Sequence, residues 1–351
     1  MSSNKDISIL DVTIRDGSYA INYQYTPEQV SDVASALDEA GIDFIEVSHG
    51  CGLGAGENLG LLAKASDAEY VLAAKKEAKH SKIGVIAGGP PVTFERDIDT
   101  IIDDVDFIRF AANCDNPRTI EANIKYARKK RPDLMIFVQL MRCTRRPKSV
   151  ILESAKQAAD MGVDVLYVVD TAGHFLPEEV SEIVDLLVAK SGIGIGFHGH
   201  NNLGLAIANT LAAIKAGACS VDASLRGMGR AGGNAQLEAL VSLLHRMGLA
   251  KSVDLDLLAA CAQGIIEPIM PRTAGIAEID VLTGDANIDL YPIEFYQRIA
   301  KSAALPLLDL IRELGNDDKA VEADLDAIQR ALENLGADAD KVLKSVGIIK
   351  R

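Results

Sequence analysis

Along residues 1–248, two hydrophobic textures alternate. Short β-rich apolar runs end in Gly, Asp, Asn or His, and each gives way to a longer stretch with helical spacing of its apolar positions. The first texture predicts strands and the second amphipathic helices. Strands are expected at 7–14, 42–48, 83–87, 106–111, 135–140, 165–170, 195–198 and 220–223. Helices are expected at 27–40, 67–79, 117–130, 148–161, 177–190, 203–216 and 235–247, with a shorter one near 95–103.

Continuous apolar strands separated by helices imply a parallel sheet covered by helices, so the fold class is α/β. Eight units over about 250 residues fit a closed (β/α)8 TIM barrel, with an open doubly wound sheet as the alternative. No GxGxxG follows the first strand, which weighs against a dinucleotide site. After Lys251 the alternation stops, and helical patterns run over 255–266, 291–305, 307–314 and 319–335. This predicts a catalytic barrel domain at 1–250 and a C-terminal helical region at 251–351. No low-complexity linker separates them, so the two should pack together.

Composition narrows the function classes. Of 351 residues 48% are hydrophobic, enough for a large core. No apolar run approaches the roughly 18 residues of a membrane helix. The start, MSSNKDISIL, lacks the basic region and apolar stretch of a signal peptide, so a cytoplasmic protein is expected. Cys51, Cys114, Cys143, Cys219 and Cys261 form no CxxC pair and read as reduced thiols. A net charge of −14 disfavours nucleic acid as a partner.

In such a barrel the reactive residues come from the C-terminal ends of strands and the loops after them. Arg15 and Asp16 follow the first predicted strand, His49 the second, Asp170 and Thr171 the sixth, and His198 and His200 the seventh. Strand side chains alternate faces, so His198 and His200 should point the same way with Gly199 leaving room between them. Two imidazoles and a carboxylate form a facial metal site with open positions for substrate oxygens. Asp16 on the mouth loop is the expected carboxylate, and Asp11 inside the strand is its competitor. Arg15 is the expected electrophile for a developing enolate. The string Gly227-Met228-Gly229-Arg230-Ala231-Gly232-Gly233-Asn234 follows the eighth strand, and Asn234 is a further oxygen ligand or a supporting residue. Arg142, Arg145 and Arg146 lie on the loop after the fifth strand, and they suggest a second anionic or strongly polar group on the substrate.

The stretches ILDVTIRDGSYAINYQYT and FHGHNNLGLAIANTLAAIKAGACSVDASLRGMGRAGGNAQLEAL resemble the metal-dependent superfamily of HMG-CoA lyase and isopropylmalate synthase. RDGS, IEVSHGCGLG and VDASLRGMGRAGGNAQLE are most similar to 4-hydroxy-2-oxovalerate aldolase. The resemblance implies Mn2+ or Mg2+ on Asp16, His198 and His200. It gives Arg15 the role of enolate stabiliser and puts Asp170 and Thr171 at the substrate. It also implies that the helical tail docks an acylating aldehyde dehydrogenase. Two differences stand out. Tyr19 occupies the position of the aldolase's histidine base, and the loop at Arg142 is basic where the aldolase is apolar. His174, in DTAGHF, is expected to supply the imidazole instead, with Tyr19 orienting a substrate oxygen or water; His49 is the other imidazole considered.

The function expected is a divalent-metal-dependent aldolase, a lyase interconverting a 4-hydroxy-2-oxo acid with pyruvate and an aldehyde. Its partners are these small molecules, and a homo-oligomer is compatible with the sequence. The alternatives are an acetyl-CoA-dependent 2-oxo acid synthase, disfavoured by the missing HxHND, and a non-catalytic metal-binding barrel.

Overall fold

The computed structural model describes residues 7–88, 94–270, 275–290, 293–317 and 324–347. Among them, eight parallel strands close a barrel in chain order, with the last pairing back on the first. These are β1 (Ser8–Asp11), β2 (Phe44–Glu46), β3 (Lys82–Ala87), β4 (Phe107–Asn113), β5 (Met135–Met141), β6 (Val165–Asp170), β7 (Gly194–Gly199) and β8 (Ser220–Ala223). Outside run α1 (Pro27–Glu39), α2 (Ala55–Leu59), α3 (Asp67–Glu77), α4 (Glu121–Lys130), α5 (Lys148–Asp160), α6 (Pro177–Lys190), α7 (Ala206–Lys215) and α8 (Leu237–Arg246). The helix expected near 95–103 is only a 3-10 turn at Ile98–Thr100. The start of α1 shows why the helical stretches begin where they do. Thr26 caps the backbone of Gln29, the Gln29 side chain returns the bond, and Pro27 takes the first position, which needs no N–H.

The barrel interior is layered by the period of two. Leu10, Phe107, Phe137 and Tyr167 pack there, with Phe44 against them. Gly84 and Gly196 face this layer, and a Cβ on either would lie 2.4 Å from the Phe107 ring or 2.6 Å from the Tyr167 ring. Glu46 and Arg109, two residues beyond Phe44 and Phe107, form with Asp222 of β8 a buried charged layer below the mouth. The apolar face of each strand's other side packs under the helices, as in Ile9, Ile45, Val85, Ile108 and Val138.

Asp11 lies on that outer face, because Leu10 and Val12 are the inward neighbours. Its carboxylate accepts from Thr13 N at 2.9 Å and Thr13 Oγ1 at 2.8 Å, which turns the chain out of β1. Burial pushes its pKa up to about 7. The unfolded chain ionises near the ordinary value of about 3.9, so the native state loses stability as pH rises from about 4 to 7 and nothing further above that. Asp11→Asn removes this loss. In urea unfolding, the variant should gain at least about 1.4 kcal/mol on the native protein between pH 5 and pH 8. A difference independent of pH would show that Asp11 folds as an ordinary carboxylate.

The tail begins with α9 (Leu255–Cys261). Val253, Leu258, Cys261 and Ile266 still belong to the barrel core, and a second core starts only at Ile288 and runs to Leu343. The packing division therefore falls after Met270, later than the boundary at 250 read from the loss of β/α texture. Four of the remaining helices build the second core: α11 (Ile293–Ser302), α12 (Leu307–Asn316), α13 (Leu325–Asn334) and α14 (Ala339–Ser345). In α12 Leu310, Ile311 and Leu314 form the buried stripe at the spacing of a helix face. The expected helix starts at 291 and 319 lie outside the described residues. Between the two cores stands α10 (Glu278–Asp285). Residues 283–289 rest on the loops at the barrel mouth, through Asn202 Nδ2 to Thr283 Oγ1 at 3.2 Å, His174 Nδ1 to Gly284 O at 2.7 Å and Arg145 to Asn287 O at 2.8 Å. No helix of the described residues is long and apolar enough to cross a membrane.

Candidate active site and metal centre

Three ligand atoms, one each from Asp16, His198 and His200, lie within 4.8 Å of one another, and all three residues are buried. They come from the β1 loop and the end of β7. His198 Nδ1 donates to Asp222 Oδ2 at 2.7 Å, and His200 Nδ1 donates to Asp170 O at 3.0 Å. Each imidazole is thereby held in one tautomer with Nε2 as the ligand atom. Among the described residues, His200 Nε2 is buried without a hydrogen-bond partner, as is Asn234 Oδ1. Such orphaned acceptors are expensive in a protein interior unless something binds them. A divalent cation fits this set, since it takes neutral imidazoles and oxygens as donors.

The electrostatics agree. Burial would raise the Asp16 carboxyl, but Arg15 foremost, then His200, His198 and Arg230, hold it well below the usual carboxylate range. Burial, with Arg230 and His198 nearby, pushes His200 down to about 3 and keeps its ring neutral. Asn234 Nδ2 donates to Asp16 Oδ2 at 2.8 Å, fixing the carboxylate from the β8 side. Gly229 makes this approach feasible, because a Cβ there would stand 2.4 Å from Asn234 Nδ2.

Arg15 lies flat between two carboxylates. Nε donates to Glu46 Oε2 at 2.6 Å and Nη1 to Asp16 Oδ1 at 2.7 Å, while Nη2 is buried with no hydrogen-bond partner among the described residues. Glu46 also meets Arg109 at 3.2 Å, and Arg109 pairs with Asp222 at 2.6 Å. One chain of alternating charge thus runs from Asp16 through Arg15, Glu46, Arg109 and Asp222 to His198. Sequence reasoning missed Glu46, Arg109 and Asp222. Their only signal was a charge inside a predicted strand, two residues beyond an inward aromatic for Glu46 and Arg109.

The other expected residues are placed differently. His49 has both ring nitrogens occupied, Nε2 donating to Leu61 O at 2.7 Å and Nδ1 accepting from Cys51 N at 3.2 Å, and its ring stacks on Tyr23. It braces the β2 loop. His174 hands Nδ1 to Gly284 O and does not line the mouth cavity. Both oxygens of Asp170 accept from backbone N–H groups, those of His174 and Phe175, so this carboxylate shapes the β6 loop instead of facing substrate. Burial nevertheless lifts its pKa to about 6. Thr171 does line the cavity, and its Oγ1 accepts from Arg142 N at 2.9 Å.

The arginine loop does not line the mouth cavity. Arg145 donates to the carbonyls of Asn287, Gly315 and Asp317, and so clasps the tail. Arg146 pairs with Asp115. Arg142 reaches Asn113 Oδ1 at 3.1 Å from a left-handed backbone, φ 64°. Guanidiniums satisfy themselves on whatever acceptors fold nearby, and the sequence does not reveal that the tail returns to this loop.

Tyr19 lines a cavity of about 290 Å³ between the β8 glycine loop and the tail, together with Thr171, Asn202 and Arg230. Burial first, then Cys51, raises its phenol well above the ordinary value of 10.0. It is a neutral hydroxyl at any physiological pH.

The HMGL-like family model matches residues 6–265. A 4-hydroxy-2-oxovalerate aldolase of Geobacillus thermodenitrificans is 40% identical over 90% of this chain and 92% of its own. An oxaloacetate decarboxylase of Mycobacterium tuberculosis is 35% identical over 89% of this chain and 92% of its own. Among solved structures, the N-terminal domain of an aldolase candidate from Bacteroides vulgatus superposes with a TM-score of 0.69 at 26% identity, covering 80% of this chain and 93% of that one. The carboxyl transferase domain of Rhizobium etli pyruvate carboxylase, determined with pyruvate, shares the fold at a TM-score of 0.74 and 16% identity, over 95% of this chain and 61% of that one. The chain belongs to the HMGL-like family, as a 4-hydroxy-2-oxovalerate aldolase-like member.

Proposed function

We propose that the protein is a divalent-metal-dependent carbon–carbon lyase that cleaves or forms a 4-hydroxy-2-oxo acid, with pyruvate and an aldehyde on the other side of the equilibrium. The observation that carries this reading is the buried Asp16, His198 and His200 cluster with the open Nη2 of Arg15 beside it. Asp16, His198 and His200 would hold Mn2+ or Mg2+, with Asn234 Oδ1 as a further oxygen donor. A divalent ion bound there supplies Lewis-acid polarisation of the substrate's 2-oxo group. Arg15 donates from Nη2 to the oxygen on which charge develops as the C3–C4 bond breaks. Tyr19 donates from its neutral hydroxyl and orients a substrate oxygen or a water. The 4-hydroxyl proton leaves to cavity water, and the enolate takes a proton at C3 to become pyruvate.

Tyr19 also favours a second reading. Among the described residues no imidazole lines the cavity to take the 4-hydroxyl proton. β-Decarboxylation of a 2-oxo dicarboxylate requires no such base, because CO2 departs and its bonding electrons enter the same enolate. The M. tuberculosis relative is named for that reaction. The C-terminal helices are proposed as the face for an acylating aldehyde dehydrogenase on the resemblance alone.

The test follows pyruvate release from 4-hydroxy-2-oxovalerate and from oxaloacetate after chelation, then with Mn2+ or Mg2+ restored. The expected result is turnover of the hydroxy acid that depends on the ion. Ion-dependent turnover of oxaloacetate only would replace it with the second reading, and no ion-dependent release from either would end both.

A further inference from the structure

The glycine-rich string after β8 contains one charged side chain, and it does not point into solvent. Arg230 is only 13% exposed at its side chain. One terminal nitrogen pairs with Asp289 of the tail, and the other donates to Thr171 O at 3.2 Å. Its backbone N–H approaches Asp16 Oδ2 at 3.4 Å. The side chain therefore spans the mouth from the β8 loop to the β6 loop and the tail, next to the metal cluster. Its charge acts on Asp16, His200 and Tyr19 alike.

Arg230 is the only cation among the described residues lining the mouth cavity. Asp289 and Thr171 O use two of the five N–H donors of the guanidinium, which leaves a fork for a further oxygen anion. Two further carboxylates line the cavity: Asp280 accepts from Ala277 N at 2.8 Å, and Glu294 lies exposed. Asp289 sits between α10 and α11, outside any helix, with 21% of its side chain exposed. It can turn to solvent and be exchanged for another carboxylate, one ion pair replacing another.

We propose that Arg230 is the receptor for a second anionic group on the substrate, borne by the fragment that leaves pyruvate, with Asp289 as its exchangeable counter-ion. The proposal rests on the lyase reading for the position of pyruvate at the metal cluster. It names the substrate class as 2-oxo acids with a second carboxylate on the C4 side. The anion preference first read from Arg142, Arg145 and Arg146 thus moves to a residue of the β8 loop.

The test compares kcat/KM for dianionic 4-hydroxy-2-oxoglutarate and monoanionic 4-hydroxy-2-oxovalerate at fixed Mn2+, in the native enzyme, Arg230→Ala, Arg230→Lys and Asp289→Asn. Affinities for unreactive 2-oxoglutarate and 2-oxobutyrate read the same selectivity without turnover. A charged hydrogen-bonding partner is worth enough that Arg230→Ala should cost the dianion about 10- to 100-fold more than the monoanion. Arg230→Lys should fall between. Asp289→Asn breaks the same ion pair yet frees the guanidinium, so it should lower KM for the dianion. If Arg230→Ala and Asp289→Asn impair both substrates alike, the pair only staples the tail and the proposal is overturned. A native enzyme without preference for the dianion overturns it too. Continued ion-dependent turnover of the monoanion would then leave the lyase reading intact.

Discussion

Replacing His200 with Ala should abolish stoichiometric metal binding and lower kcat by at least about 10³-fold, a loss of roughly 4 kcal/mol in transition-state stabilisation. His200 contributes one ligand atom and little else. Its Nδ1 holds a single backbone carbonyl at 3.0 Å, and its Nε2 has no hydrogen-bond partner among the described residues. Truncation therefore removes an orphaned acceptor along with the ring, and the barrel should keep its fold. His198→Ala should be equally inactive but less stable, because it also strips the partner from Asp222, which is buried against Arg109. Metal content by elemental analysis, set beside circular dichroism and Tm, separates the two effects. A His200→Ala protein that keeps both bound metal and turnover would show that the cluster is not the centre of the chemistry.

The barrel was legible because its signal is collective. Eight alternations place each strand within a few residues, and the period of two carries His198 and His200 to one face without any tertiary information. The errors fall where a side chain's fate depends on chain that returns from far away. Arg145 looks like a substrate arginine until the tail, 142 to 172 positions later in the chain, offers it three carbonyls. His174 looks like a spare base until α10 takes its Nδ1. Asp170 sits at the right strand end, yet its own loop amides use both oxygens. The packing division lies beyond the change of texture for a related reason. Change of texture marks where the β/α repeat ends, whereas packing continues through Ile266 because an amphipathic helix covers whatever apolar face is open. The ionic layer of Glu46, Arg109 and Asp222 was hidden by an ordinary prior, that a charge inside a strand faces water.

That layer leads to the expected behaviour of Arg15→Lys. The native guanidinium uses Nε and Nη1 on Glu46 and Asp16, and these two bonds fix its plane so that Nη2 is presented in one orientation. A lysine ammonium keeps the charge but is a single point with a shorter reach, so it cannot hold both carboxylates and still offer a directed donor. Losing one preorganised donor to a developing oxyanion lowers kcat by about 10²- to 10³-fold. KM should change far less, because ground-state substrate would be held mainly by the bound ion. Metal should remain bound, since Asp16, His198 and His200 are all present. Arg15→Ala should be worse in stability as well as rate, because it leaves Glu46 buried with only Arg109 beside it. The decisive measurement is the split between kcat and KM at saturating Mn2+ in Arg15→Lys. If KM rises while kcat holds, Arg15 binds substrate uniformly and the enolate is stabilised elsewhere. If kcat falls alone, the unpartnered Nη2 is the donor that the charged layer was assembled to aim.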